Sequence, residues 1–316
     1  MTFSVEKIPG LRWKIRLALL FIGLFLLVFF AWGSRDELSR MVAHSDVRLV
    51  VISVFLGVLF TFIQALLFAT LVRKYDAELN NLNLASAYLL SQPGKYIPGK
   101  VWSLAMQSLS IDRSVRVSNI AVANVELAAV SVVQMIVMGG ALIFVGSPMI
   151  VSIFLIGGLV FCTIVSAFPL AATLKLIVPK LSSVIGLMAP PPTLGCSGLL
   201  KMAGLNAASM LLNFAASMSV LSSVGSSLEV VDFPRILSSI YLASGAGVFI
   251  FPVPAGLGVR EAFAAGLASM LSPELSAPLI VSITLLFRCW QIPVDVLCTL
   301  LGALLARRRK FEFIKK

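Results

Sequence analysis

The feature that most constrains this chain is a set of long apolar runs that carry no charge. They are Leu17 to Trp32, Leu49 to Val72, Leu127 to Leu174, Met202 to Leu228 and Ile236 to Val259. A helix needs about 20 apolar residues to cross the hydrocarbon of a bilayer. Leu127 to Leu174 is long enough for two crossings, with Gly146-Ser147-Pro148 as the turn between them. Charged residues make up 12% of the chain, against about 25% in soluble domains. Mean hydropathy is +1.01. The sequence therefore specifies an all-α polytopic membrane protein, a single integral membrane domain over 1–316 with polar segments too short for a soluble domain. Lys7, Arg12, Lys14 and Arg16 before the first run resemble a signal peptide, but the run is long and "AWGSRDE" is a poor cleavage site, so a retained span is expected.

Six full spans are expected, at about 15–32, 49–72, 118–145, 149–174, 200–224 and 277–306. Two apolar regions remain, 82–110 and 235–272, each interrupted by a Pro/Gly cluster: Pro93-Gly94 through Pro98-Gly99, and "PVPAGLG" from Pro252 to Gly258. Proline breaks a helix, and irregular backbone at membrane depth needs protein or a water-filled cavity around it. Both regions read as re-entrant hairpins, giving eight membrane segments if the hairpins are counted as spans.

Charge distribution supports this threading. With a cytoplasmic N-terminus, the inner side holds Arg73, Lys74, Arg113, Arg116, Lys175, Lys180, Lys201 and the basic tail, whereas the outer side holds Arg35, Arg40, Arg48 and Arg235. A single crossing by 235–272 would put "ARRRK" outside, against the positive-inside rule. Both termini are then cytoplasmic and the membrane is the cell's inner, cytoplasmic one. Each half, about 1–146 and 147–316, reads span, span, hairpin, span, starting from opposite sides. Paired helix breaks in an inverted repeat are a pointer to a transporter's substrate site near the midplane.

"GKYIPGKV", from Gly94 to Val101, has the G-x-x-x-x-G-K spacing of a phosphate-binding loop. A Walker loop follows a buried strand and ends on a Ser or Thr that holds magnesium. Here helical apolar segments flank the motif and Val101 cannot ligate a metal, so ATP hydrolysis is rejected and no cofactor is expected. A Gly/Pro break that opens a helix still exposes backbone N–H groups at a positive dipole end. Lys95, Tyr96, Pro98, Gly99, Lys100 and Trp102 at the first break, and Gly256, Gly258, Arg260 and Glu261 at the second, form a candidate site for an anionic head group. The alternative is that Lys95 and Lys100 only snorkel to the interface.

Ionisable residues inside spans need partners or a cavity. Glu126 lies in the third full span and Arg288 and Asp295 in the last. Arg288 and Asp295 are a heptad apart and too far along the helix to bridge each other. Arg288 is expected to meet Glu261 or Glu126, and joins the candidate head-group residues. Asn124 and Gln134 are expected to hydrogen-bond between helices. Cys162, Cys196, Cys289 and Cys298 lack metal spacing and read as small packing residues. One histidine, His44, leaves no basis for a His-rich metal site.

With "GKYIPGKVW", "PVPAGLGVREA", Glu126 and Arg288 in place, the chain resembles the membrane, flippase-like region of the lysylphosphatidylglycerol synthase family, over nearly its whole length. The synthases of that family carry a soluble aminoacyl-transferase domain after this region. None follows here, so lipid aminoacylation is not expected of this polypeptide. The resemblance implies movement of an anionic lipid or a lipid-linked sugar between leaflets, with a phospholipid or a polyprenyl-phosphate-linked sugar as partner, in glycolipid, polysaccharide or phospholipid metabolism. Two alternatives stay open: a non-catalytic accessory subunit of a synthase or glycosyltransferase, and an integral-membrane lipid-phosphate transferase, for which only Glu126, Glu261 and Asp295 are available as intramembrane acids. The net charge of +11 follows from topology and is not read as nucleic-acid binding.

Overall fold

Ten helices and two short 3₁₀ turns account for the described part of the chain, with no strand among the described residues. The structure, a computed structural model, describes residues 32, 35–75, 80–96, 102–111, 115–167, 195–224, 229–249 and 258–314. The helices are α1 (Arg35–Ala43), α2 (Val47–Arg73), α3 (Asn81–Leu90), α4 (Trp102–Ser110), α5 (Val117–Ile143), α6 (Pro148–Ala167), α7 (Cys196–Ser223), α8 (Phe233–Phe249), α9 (Val259–Leu271) and α10 (Ala277–Ile314). Five of them, α2, α5, α6, α7 and α10, are long and apolar enough to cross a membrane. The chain is an all-α polytopic membrane protein. The first expected span, 15–32, lies outside the described residues except for Trp32.

The ends of the helices follow from local chemistry. Asp46 caps α2 by accepting from Arg48 N at 2.8 Å, and Asn80 caps α3 by accepting from Leu82 N at 2.9 Å; an Asx side chain at this place satisfies a backbone donor that the helix cannot. At the first Pro/Gly region, α3 is followed by a 3₁₀ turn over Gln92–Tyr96 and then by α4. At the second, α8 ends at Phe249 and α9 begins at Val259, and the Pro252–Leu257 cluster lies outside the described residues. Pro293 behaves differently, for it sits inside α10 without ending it.

Helix α2 packs antiparallel to α7, with Asp46 N donating to Ser223 O at 2.9 Å at one end of the pair. Around them, α10 lies against α3 and α5 lies against α8. Close approach sets these contacts. A Cβ at Gly302 of α10 would stand 2.9 Å from Leu90 N and 3.0 Å from Ser86 O in α3. At Gly139 of α5 it would stand 2.7 Å from Leu242 Cγ in α8. Small residues let helix backbones meet where the surrounding lipid offers no hydrophobic drive to do so.

Polar residues join the spans in the interior. Gln134 of α5 donates to Asn206 Oδ1 of α7 at 3.1 Å and accepts from Ser209 Oγ at 3.2 Å. Gln64 of α2 donates to the same Ser209 Oγ at 2.9 Å. Asn124 donates to Gln107 Oε1 at 2.6 Å, tying α5 to α4, and Gln107 donates to Ser91 Oγ at 3.0 Å, tying α4 back to the end of α3. Asn124 and Gln134 thus both bond between helices. Cys162 and Cys298 are buried, but Cys196 and Cys289 are exposed and do not pack in the interior. The packing reading fails for those two because α7 starts at Cys196 and Cys289 opens into a pocket lined also by Val54, Val220 and Trp290.

Candidate functional site

The tips of the two broken pairs converge on the middle of α10. Arg288 and Asp295 bracket the midpoint of its 31-residue apolar stretch, Ala277–Arg307. Residues 288, 291 and 295 share one face of the helix, at spacings of three, four and seven. The first pair reaches that face at Asp295 and the second at Arg288.

At the first tip, Gly94 lets the 3₁₀ turn lie directly on α4: a Cβ there would be 2.7 Å from Ser103 N and 2.9 Å from Ser103 Cα. The turn presents Lys95 and Tyr96 to α10. Lys95 Nζ lies 2.7 Å from Asp295 Oδ1, and Tyr96 OH donates to Asp295 Oδ2 at 2.5 Å. Gln291, one turn before Asp295, donates to Oδ1 at 3.1 Å. Three donors therefore converge on one carboxylate, which is 3% exposed while the Lys95 side chain is 39% exposed. Trp102 begins α4 and is exposed. Pro98, Gly99 and Lys100 lie outside the described residues.

At the second tip, Gly258 has φ 79°, in the left-handed region that costs an L-residue with a side chain about 1–2 kcal/mol. From that turn α9 begins, and Glu261 reaches back to accept from Gly258 N at 2.8 Å. Its other oxygen, Oε1, accepts from Arg288 Nε. Glu261 is 1% exposed. Burial of such a carboxylate is tolerable because both oxygens are engaged, one by a backbone donor and one by a cation. Gly256 lies outside the described residues.

Arg260 is the exception in this arrangement. A Cβ placed on Gly247 of α8 would stand 3.9 Å from Arg260 Cβ. The Arg260 Nε is buried without a hydrogen-bond partner. No carboxylate of the described residues lies within ion-pair distance of it, since Glu261 turns both oxygens to Gly258 and Arg288. Arg288 is close enough to act electrostatically on both Arg260 and Tyr96. The described cluster thus holds three cations, Lys95, Arg260 and Arg288, against two carboxylates, Glu261 and Asp295.

Glu126 belongs to a separate site. It is completely buried and meets Lys74, whose Nζ lies 3.1 and 3.2 Å from its two oxygens and also donates to Ser166 O at 3.0 Å. Tyr75 OH donates to Glu126 Oε1 at 2.6 Å. This cluster joins α5, the end of α2 and the end of α6. Lys74, counted among the inner-side charges, is a buried ion-pair partner with a 1% exposed side chain. Of the two carboxylates open to Arg288, Glu261 is the one it meets.

Lys74, Tyr75 and Gln291 escaped the sequence reading. Gln291 had a signal, since it lies four residues before Asp295 on the same helical face. Comparison with family models, characterised proteins and solved structures finds no match to this chain.

Proposed function

We propose that this chain is a flippase-like protein that carries an anionic lipid, or a lipid-linked sugar, between leaflets by holding its phosphate where the two hairpins meet α10. The observation that carries this reading is Arg260. A guanidinium with a buried, unpartnered Nε, beside a second guanidinium in the middle of an apolar span, is an unfavourable arrangement for the protein alone. An anion entering the junction gives Arg260 the partner that the fold withholds. Intramembrane charges of this kind mark substrate pathways by default, and broken helices facing one another at mid-span are the usual frame for such a site.

On this reading the two broken pairs are re-entrant, entering from opposite leaflets of the cytoplasmic membrane with both chain termini inside. The motif resemblance to the membrane region of the lysylphosphatidylglycerol synthase family points the same way, towards a phospholipid or a polyprenyl-phosphate-linked sugar. The test is leaflet exchange in liposomes carrying the purified chain, with fluorescent phosphatidylglycerol in one set and a polyprenyl-phosphate-sugar in another. Exchange stopped by Arg260→Gln and Lys100→Gln is the expected result. Exchange that both substitutions leave intact would remove the site, and no exchange of either lipid by folded protein would remove transport.

A further inference from the structure

We propose that Asp295 is an internal competitor for the ligand: its carboxylate fills, in the unliganded chain, the donor cradle of Lys95, Tyr96 and Gln291 that the lipid phosphate enters next to Arg260. This inference rests on the anionic-lipid reading above and adds to it a second contact region and a means of release. Three donors on one buried carboxylate, at 2.7, 2.5 and 3.1 Å, are an oxyanion site in which the oxyanion belongs to the protein. Two of those donors remain reachable, since Lys95 is 39% exposed along its side chain and Tyr96 is half exposed, whereas Asp295 is sealed. The cradle lies on the same face of α10 as Arg288, about two turns away, and Arg288 holds Glu261 of the second hairpin, so the two hairpin tips address one helix face.

The same contacts fasten the first hairpin to α10. An anion that takes over Lys95 and Tyr96 therefore unfastens that hairpin from Asp295 as it binds. Binding and release of the tip are then one event, and the ligand acts only through its differential affinity for the two arrangements. Glu261 does not play this part, because Gly258 N and Arg288 hold it within its own hairpin and helix junction.

The test is equilibrium titration of the full chain in neutral detergent with fluorescent short-chain phosphatidylglycerol, and with the phosphatidylcholine analogue as the arm without net charge. Asp295→Asn removes the competing charge about two helical turns from Arg288. The expected result is tighter phosphatidylglycerol binding by roughly tenfold, from one unit charge at about 10 Å in a medium of intermediate dielectric, with phosphatidylcholine unaffected. Asp295→Ser also removes the competing carboxylate and leaves Lys95, Tyr96 and Gln291 in place as donors, so it gives a gain in the same direction and decides the matter if Asp295→Asn does not fold. Unchanged or weaker binding by these variants, with Arg260→Gln still weakening it, overturns the competitor and leaves the lipid site standing. Unchanged phosphatidylglycerol affinity in all three variants overturns both.

Discussion

Replacing Arg260 by Met is expected to make the protein more stable while it abolishes lipid exchange. Met keeps a long unbranched stem beside Gly247 and removes the guanidinium. The gain comes from a buried donor without a partner, here Nε, which costs about 1–3 kcal/mol. The attraction of the neighbouring Glu261 offsets part of this, leaving an expected gain of about 1–2 kcal/mol. Arg288→Met is the internal control, with the opposite sign. It strips Glu261, 1% exposed, of its cation, and breaking a buried pair from one side costs about 3–5 kcal/mol. Thermal unfolding of both variants in detergent, followed by tryptophan fluorescence, measures the two shifts beside wild type. A lower melting temperature for Arg260→Met would refute the reasoning, because it would mean that Arg260 holds the fold by a favourable contact.

Two further outcomes follow from the packing. Glu126→Leu leaves Lys74 buried with its carboxylate gone, and is expected to cost about 3–5 kcal/mol, whereas the double replacement Lys74→Met with Glu126→Leu is expected to recover most of that loss; additive single effects in a chemical-unfolding cycle would contradict the pair. Gly302→Val puts a branched side chain 2.9 Å or less from the α3 backbone, and should separate α3 from α10, costing about 1–3 kcal/mol and raising the reactivity of Lys95 towards an amine reagent read by mass spectrometry.

The elements were legible because their causes are local. Apolar length marks α2, α5, α6, α7 and α10, and Pro93 and Pro98 mark the first break. The contrast is Pro293, equally local, which α10 absorbs in a 38-residue helix packed against α2, α3 and α9. The charges were legible only as a demand. Arg288 in an apolar run requires a carboxylate, and few were available, so Glu261 could be named as one of two. Glu126 raised the same demand, yet Lys74 stood next to Arg73 at the end of a run, where a cation ordinarily snorkels to the interface. Its burial depends on the end of α6 closing over it at Ser166, which no periodicity in residues 47–75 encodes. Asp295 likewise showed no sign of its partners, because Lys95 and Tyr96 lie in the other half of the chain. That Arg260 has no carboxylate at ion-pair distance among the described residues depends on where Glu261 turns, and this too is a tertiary fact.

The tie between Lys95 and Asp295 also sets an order of assembly. Two hundred positions of sequence separate the two residues. At about 5–20 residues per second of synthesis, the first hairpin exists for roughly 10–40 seconds before its anchor has been made. During that interval the tip carries Lys95 with no Asp295 to receive it, and α3 has no α10 to lie on. The first hairpin therefore reaches its place late, although it is made early. Synthesis must pass Asp295 before the tip at Lys95 can close.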